Sequence, residues 1–306
     1  MMNAEFFDIL ESIKGVTAEE ILVDASLGSS KHNTSARILR HGLSVSSFAL
    51  LEKYLQGAFH AFMEDASKTK IAYADMSEDF RKFVTIYATE GILNRMSFMP
   101  KADRLSFFES EISFLPNAMT LPARFNAHGF SPKGSNISKD DIASALKALG
   151  VHTPWSKLTA ITGELGAHRT DLGDDFENLA RTRHSSAHNP TGNVTTTDLE
   201  TNLTVSALIA LSVALLLHSL KKIYIKSHTA KKLREEAKNP PIKVRFVDKT
   251  FDGAWIERKR STGKAVKRHS SYEKALRASQ LRRDDSPIVV RNSSGIPLRI
   301  VLQGFS

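Results

Sequence analysis

Three residues past the middle of the chain, an arginine and two histidines, are of types that move protons and hold phosphate oxygens. Arg183, His184 and His188 stand in the segment DFENLARTRHSSAHNP, residues 175–190. Where a phosphodiester has a hydroxyl beside it, a base that takes the hydroxyl's proton creates an internal nucleophile already held in place. Histidine suits that task because its ordinary pKa, about 6.5, lies near neutrality. The transition state gathers negative charge on phosphate oxygens. Arginine is always cationic, and its forked guanidinium matches those oxygens. This chemistry needs no metal and no cofactor, and none is expected. His184 precedes His188 by four residues, on the same helical face, and would orient it or help hold phosphate. The same residues also admit structural roles: Arg183 paired with Asp174, Asp175 or Glu177, and His188 as a helix C-cap. A metal held by His184 and His188 is disfavoured, because no carboxylate stands at suitable spacing. His32 and the His168-Arg169 pair lack matching partners and read as structural or solvated.

The element that must carry these residues is a helix from about Asp174 toward His188, with Phe176, Leu179 and Ala180 as its apolar side. Asn189-Pro190 ends it, since a residue before proline is pushed out of the helical region. A polar turn, Thr191 to Thr197, follows, and Asp198 opens a long final helix through Tyr224. On an ideal helix, five residues turn Arg183 away from His188 by about 140°. An early helix end ahead of Pro190 would release His188 and remove that difficulty.

Arg183-His184-x-x-x-His188 resembles the motif of HEPN ribonucleases: an arginine, then Asn, Asp or His, then three residues and a histidine. Its place matches too, late in a helical bundle and just before a long apolar helix. The nearest branch is the RiboL-PSP-like HEPN group, and the resemblance covers roughly residues 35–225. It implies a metal-independent endoribonuclease, acting as a toxin or antiviral-defence effector, with Arg183, His184 and His188 as catalytic residues. It also implies a homodimer whose two motifs share one composite cleft, so that Arg183 and His188 need not act within one chain. RNA is the implied partner, with an antitoxin or regulatory protein as a further one. The alternative is a non-catalytic HEPN-like scaffold that holds RNA or a partner.

The rest of the chain predicts a mainly α fold: a helical domain over 1–225, a linker over 226–241 and a small basic α+β module over 242–306. Phe48, Leu51, Leu55, Phe59 and Phe62 recur at spacings of three and four, one face of a long helix. Thr17 with Glu20 has capping-box spacing, as does Ser138 with Asp141, where a helix opens that Gly150 ends. Further helices centre on Phe80–Tyr87 and on Phe107–Leu115, and the Pro-, Gly- and Ser-rich stretch 116–138 is a loop. After Asn239-Pro240-Pro241 the pattern changes to short β-rich runs at 242–247, 255–259, 287–290 and 298–302, with a helix over 271–281.

Charge divides the chain. Residues 221–306 hold 22 Lys/Arg against 8 Asp/Glu, whereas residues 1–220 are net acidic. A basic segment of this strength meets a polyanion, and Arg258, Lys259, Arg260, Lys264, Lys267, Arg268, Arg282 and Arg283 are its candidate RNA-binding residues. Trp255 and Tyr272 sit among them as core residues of the module. The chain has no cysteine, which excludes disulfides, thiolate metal sites and a cysteine nucleophile. Its opening stretch is acidic where a secretory leader would be basic. Residues 205–220 are apolar but short for a membrane span, so a buried core helix and a cytoplasmic protein, off the membrane, are expected.

Overall fold

The computed structural model describes every residue except 1, 27, 116–118, 120–123, 135, 190, 283–284 and 303–306. In chain order the elements are α1 (Met2–Val16), α2 (Ser30–Ala66), α3 (Glu78–Lys82), α4 (Ala88–Ser97), α5 (Arg104–Ile112), α6 (Lys139–Ala148), α7 (Pro154–Glu164), α8 (Leu172–His188), α9 (Thr196–Lys226), α10 (Ala230–Lys238), β1 (Arg245–Lys249), β2 (Trp255–Arg258), β3 (Ala265–His269), α11 (Tyr272–Gln280), β4 (Ile288–Arg291) and β5 (Pro297–Val301). The fold is thus mainly α, with a small mixed sheet near the C-terminal end. A π-helical stretch, Phe83–Tyr87, joins α3 to α4.

The described residues form two compact units. The first comprises Met1–Tyr54, Leu158–Ser212 and Lys243–Ser306. Its helical core begins with Phe6 and Phe7 of α1, whose rings lie 4.5 and 6.0 Å from that of Tyr54 on α2. Phe48 of α2 meets Phe176 of α8 at 5.9 Å, which seats the apolar side of α8 on α2. The sheet has the order β3-β2-β1-β4-β5, with β1 parallel to β4 and the other pairs antiparallel. Successive strand residues face opposite ways. Val247 and Ile288 meet Ala275 of α11 on one face, with Trp255 and Tyr272 packed against them. Both aromatics therefore pack against this core, as expected of them.

The opposite sheet face carries Phe246, Asp248, Val289 and Arg291, all buried. The Arg291 guanidinium makes two bonds to the Asp248 carboxylate, at 2.7 and 2.8 Å, and donates to the Leu165 carbonyl at 3.3 Å. Arg299 of β5 pairs with Asp8 of α1 at 3.0 Å. The sheet thus shares a compact unit with α1 and the end of α7, where the sequence suggested a module set apart. Strand β3 was not foreseen either: its sequence is AVKRH, and Ala265 to Arg268 are exposed, so no apolar alternation marks it.

The second unit comprises Leu55–Lys157 and Val213–Ile242. Phe59 stacks on Phe130 at 4.2 Å, and Tyr224 packs between Phe62 and Phe80, at 5.4 and 5.9 Å. The Tyr224 hydroxyl donates to the Leu149 carbonyl at 3.2 Å. Ser138 and Asp141 form the expected capping box at the start of α6. Gly150, with φ at +100°, follows its end, a conformation that costs glycine little. The expected linker is a correction: α10 occupies most of 226–241, opens on a Thr229 cap and buries Leu233 and Ala237. Four-residue spacing puts those two on one face of a helix that is otherwise polar.

The Thr17–Glu20 box does not form. Thr17 follows α1 and donates to the Lys14 carbonyl at 2.8 Å, while Glu20–Leu22 make one 3-10 turn. Helix α9 is long and apolar enough to cross a membrane, but its most apolar window is 94% buried inside the protein. It is a core helix, as expected, although it is longer than the apolar run 205–220 suggested.

Candidate functional site

Helix α8 is built to end where the motif stands. The Asp171 side chain accepts from the amides of Gly173 and Asp174 at the N-terminus, satisfying two donors that an unfinished helix leaves bare. Leu172, Phe176, Leu179 and Ser186 form the buried side. Arg183 falls in line with them, four residues after Leu179, and is half-buried. His184 and His188 lie on the exposed side, their ring centroids 4.6 Å apart and their planes at 50°.

The structure therefore brings the two histidines together and does not bring Arg183 to His188. Helix α8 runs through His188 without a break, and Asn189 is its cap, with φ −129° and its amide bonded to the Ser185 carbonyl at 2.7 Å. An early helix end does not occur, and Pro190 lies outside the described residues. The divergence of about 140° on a regular helix thus persists within one chain.

His188 is the last residue of α8, at the helix end where the structural alternative put it, whereas the ion pair offered for Arg183 is not found among the described residues. Asp175 is held by Arg169 through two bonds of 2.7 Å. Among the described residues, no hydrogen bond or ion pair engages the side chains of Arg183 or His188. His32, by contrast, donates to the Val23 carbonyl at 2.8 Å, the structural role expected of it.

The turn after the motif is anchored by residues that sequence reasoning missed. Arg40 of α2, 1% exposed, donates to the carbonyls of Val194 and Leu22, each at 2.5 Å, and to the Asp24 carboxylate at 3.1 Å. The neighbouring His41, 5% exposed, donates from Nε2 to the Gly192 carbonyl at 2.9 Å. One signal could have found them. Ala36, Ser44, Ser47, Phe48 and Leu51 mark the buried side of α2, and Arg40 interrupts it with a charge at the same spacing. Beyond the turn, Thr195 and Asp198 bond reciprocally and cap α9, which opens at Thr196 rather than Asp198.

The predicted RNA-binding residues divide into two groups. Arg258 is bound to Asp248 at 3.0 Å and to the Gly263 carbonyl, and Arg282 reaches the fully buried Glu257 at 3.4 Å. These two hold the sheet together. Arg268 is exposed and pairs with Asp252. Lys259, Arg260, Lys264 and Lys267 are exposed, and among the described residues they have no ion-pair partner. They cluster on and around the β2–β3 hairpin, whose outer strand is an open sheet edge. Arg283 lies outside the described residues.

Two cavities, of about 320 and 210 Å³, are lined by other residues, including Tyr224 and Arg234 in the larger and Leu203 and Arg169 in the smaller. The motif instead lies on an open helix surface. A family model described as RiboL-PSP-HEPN matches residues 17–212, which include α8 and its motif. No curated protein and no solved structure matches the chain significantly.

Proposed function

The chain belongs to the RiboL-PSP-HEPN family, and on that premise we propose that it is a metal-independent endoribonuclease acting through Arg183, His184 and His188. The observation that carries this reading is the end of α8. Two exposed imidazoles stand side by side there, and an arginine on the same helix has no side-chain partner among the described residues.

His188 takes the proton of a 2′-hydroxyl. The freed oxygen bonds to the adjacent phosphorus, and the bond from phosphorus to the 5′-oxygen breaks. The 5′-oxygen leaves with a proton, so the products are a 2′,3′-cyclic phosphate and a 5′-hydroxyl. Arg183 neutralises charge that develops on the phosphate oxygens. His184 orients His188 or holds phosphate. Because Arg183 and His188 diverge on one helix, the arginine of each site comes from a second copy of the chain, in a homodimer with two-fold symmetry. Lys259, Arg260, Lys264 and Lys267 hold the RNA backbone through charge. The biological role that suits such an enzyme is a toxin or defence effector, restrained by an antitoxin or regulatory partner.

Incubation of the purified protein with RNA in EDTA tests this reading. Cleavage with cyclic-phosphate ends is expected, and DNA of the same sequence should survive because it lacks the nucleophile. The second reading is a non-catalytic scaffold that binds RNA. It is favoured by the same divergence of Arg183 and His188, and it predicts RNA binding with no cleavage.

A further inference from the structure

We infer that Arg40 and His41 are positioning residues for the motif, fixing the turn that holds the last turn of α8 in place. This rests on the ribonuclease reading above. The evidence is a continuous run of hydrogen bonds. His41 Nε2 donates to the Gly192 carbonyl at 2.9 Å, the Gly192 amide donates to the Asn189 carbonyl at 3.1 Å, and the Asn189 amide donates to the Ser185 carbonyl at 2.7 Å. Ser185 lies between His184 and His188 in sequence, and Asn189 follows His188 directly. The Asn189 side chain is held as well, accepting from the Thr191 hydroxyl at 2.7 Å.

Arg40 fixes the other end of the same turn. Its Nε donates to the carbonyl of Val194, two residues before α9 opens. The same guanidinium ties that point to Leu22 and Asp24. A guanidinium 1% exposed is costly to bury and is tolerated only where its donors are met. Here they are met by the backbone carbonyls of two separate segments and by the Asp24 carboxylate, so removing Arg40 leaves both carbonyls bare.

His41 is the more telling of the two. Its Nδ1 is buried and has no partner among the described residues, so the Gly192 bond is the one polar interaction the ring makes there. A buried polar atom without a partner costs free energy. An apolar residue would serve the packing without that cost, and what it would lose is the hold on Gly192.

The test compares His41→Leu, which keeps the bulk, with His41→Gln, which keeps an amide donor near the position of Nε2. Both are measured on the full-length protein, with circular dichroism to establish folding. In His41→Leu, kcat should fall, by up to about 10²-fold, because small misplacements of a catalytic group have that effect. KM should change little, and His41→Gln should recover most of kcat. A folded His41→Leu protein with wild-type kcat would overturn the proposal, as would a loss confined to KM. A second readout does not depend on activity. The His184 and His188 ring resonances should shift in His41→Leu, and amide exchange at Gly192 should accelerate, while Lys264→Ala should leave both as they are. Unmoved resonances and unchanged exchange would overturn the positioning role even if the wild type proved inactive, which is the outcome that would sink the ribonuclease reading instead.

Discussion

Arg183 and His188 stand five residues apart on one unbroken helix, the first half-buried in line with Phe176 and Leu179, the second exposed on another side. On a regular helix, positions five residues apart point about 140° away from each other, and the proposed two-chain site resolves that divergence.

Mixing two inactive variants tests this directly. Arg183→Ala and His188→Ala should each be inactive alone. After unfolding and refolding together, half of the dimers carry one chain of each kind. Each such dimer holds one site with both residues intact and one with neither. Activity should then return to about a quarter of wild type, as two-fold symmetry requires. No recovery, with mixed dimers shown to form, would place Arg183 and His188 in the same chain's site.

The basic hairpin should govern affinity rather than chemistry. Changing Lys259, Arg260, Lys264 and Lys267 to glutamine should weaken RNA binding and flatten its salt dependence, by about 0.7 in log–log slope for each phosphate of a single strand that is no longer neutralised. Cleavage at saturating RNA should persist. Fluorescence anisotropy across a salt series checks this, and an unchanged slope would remove the hairpin from the interface.

Much of this was legible in the sequence, and the failures share a cause. The three/four spacing of Phe48 through Phe62 located α2, and Ser138 with Asp141 located the start of α6, because local periodicity and capping are written in neighbouring residues. The motif was legible because Arg183, His184 and His188 are close in sequence. Arg40 and His41 act on carbonyls more than 150 residues away, and backbone acceptors leave no trace in residue types. Strand β3 was hidden because both its faces are polar or exposed, and α10 because one leucine and one alanine make its whole buried stripe. That residues 243–306 share a compact unit with 1–54 and 158–212 was not legible, because a change of local pattern at residue 242 marks a change of secondary structure. It says nothing of whether the two parts pack together.

That packing has a measurable consequence. Deleting residues 243–306 removes the Arg299–Asp8 pair and the Arg291 bond to the Leu165 carbonyl. The remaining chain should unfold at a lower temperature than the full-length protein. Unchanged thermal unfolding of 1–242 would restore the reading of an independent module.

Within the sheet, Asp248 is the partner that both Arg291 and Arg258 need. Asp248→Ala leaves the buried Arg291 guanidinium without its anion, and removing one member of a buried pair typically costs about 3–5 kcal/mol. Denaturant unfolding should show a loss of that order. A loss below about 1 kcal/mol, the scale of an exposed pair, would mean that the pair is solvated.

The measurement that bears most directly on the central claim is RNA cleavage by His188→Ala. Loss of a general base typically lowers rate by about 10²–10⁴-fold. Arg183→Ala should be comparably severe, and Arg183→Lys should recover only part, since a point charge replaces a planar fork. All three should remain folded, because His188 is exposed and, among the described residues, neither side chain makes a hydrogen bond or ion pair in its own chain. Cleavage by folded His188→Ala at the wild-type rate would contradict the account and leave the binding scaffold in its place.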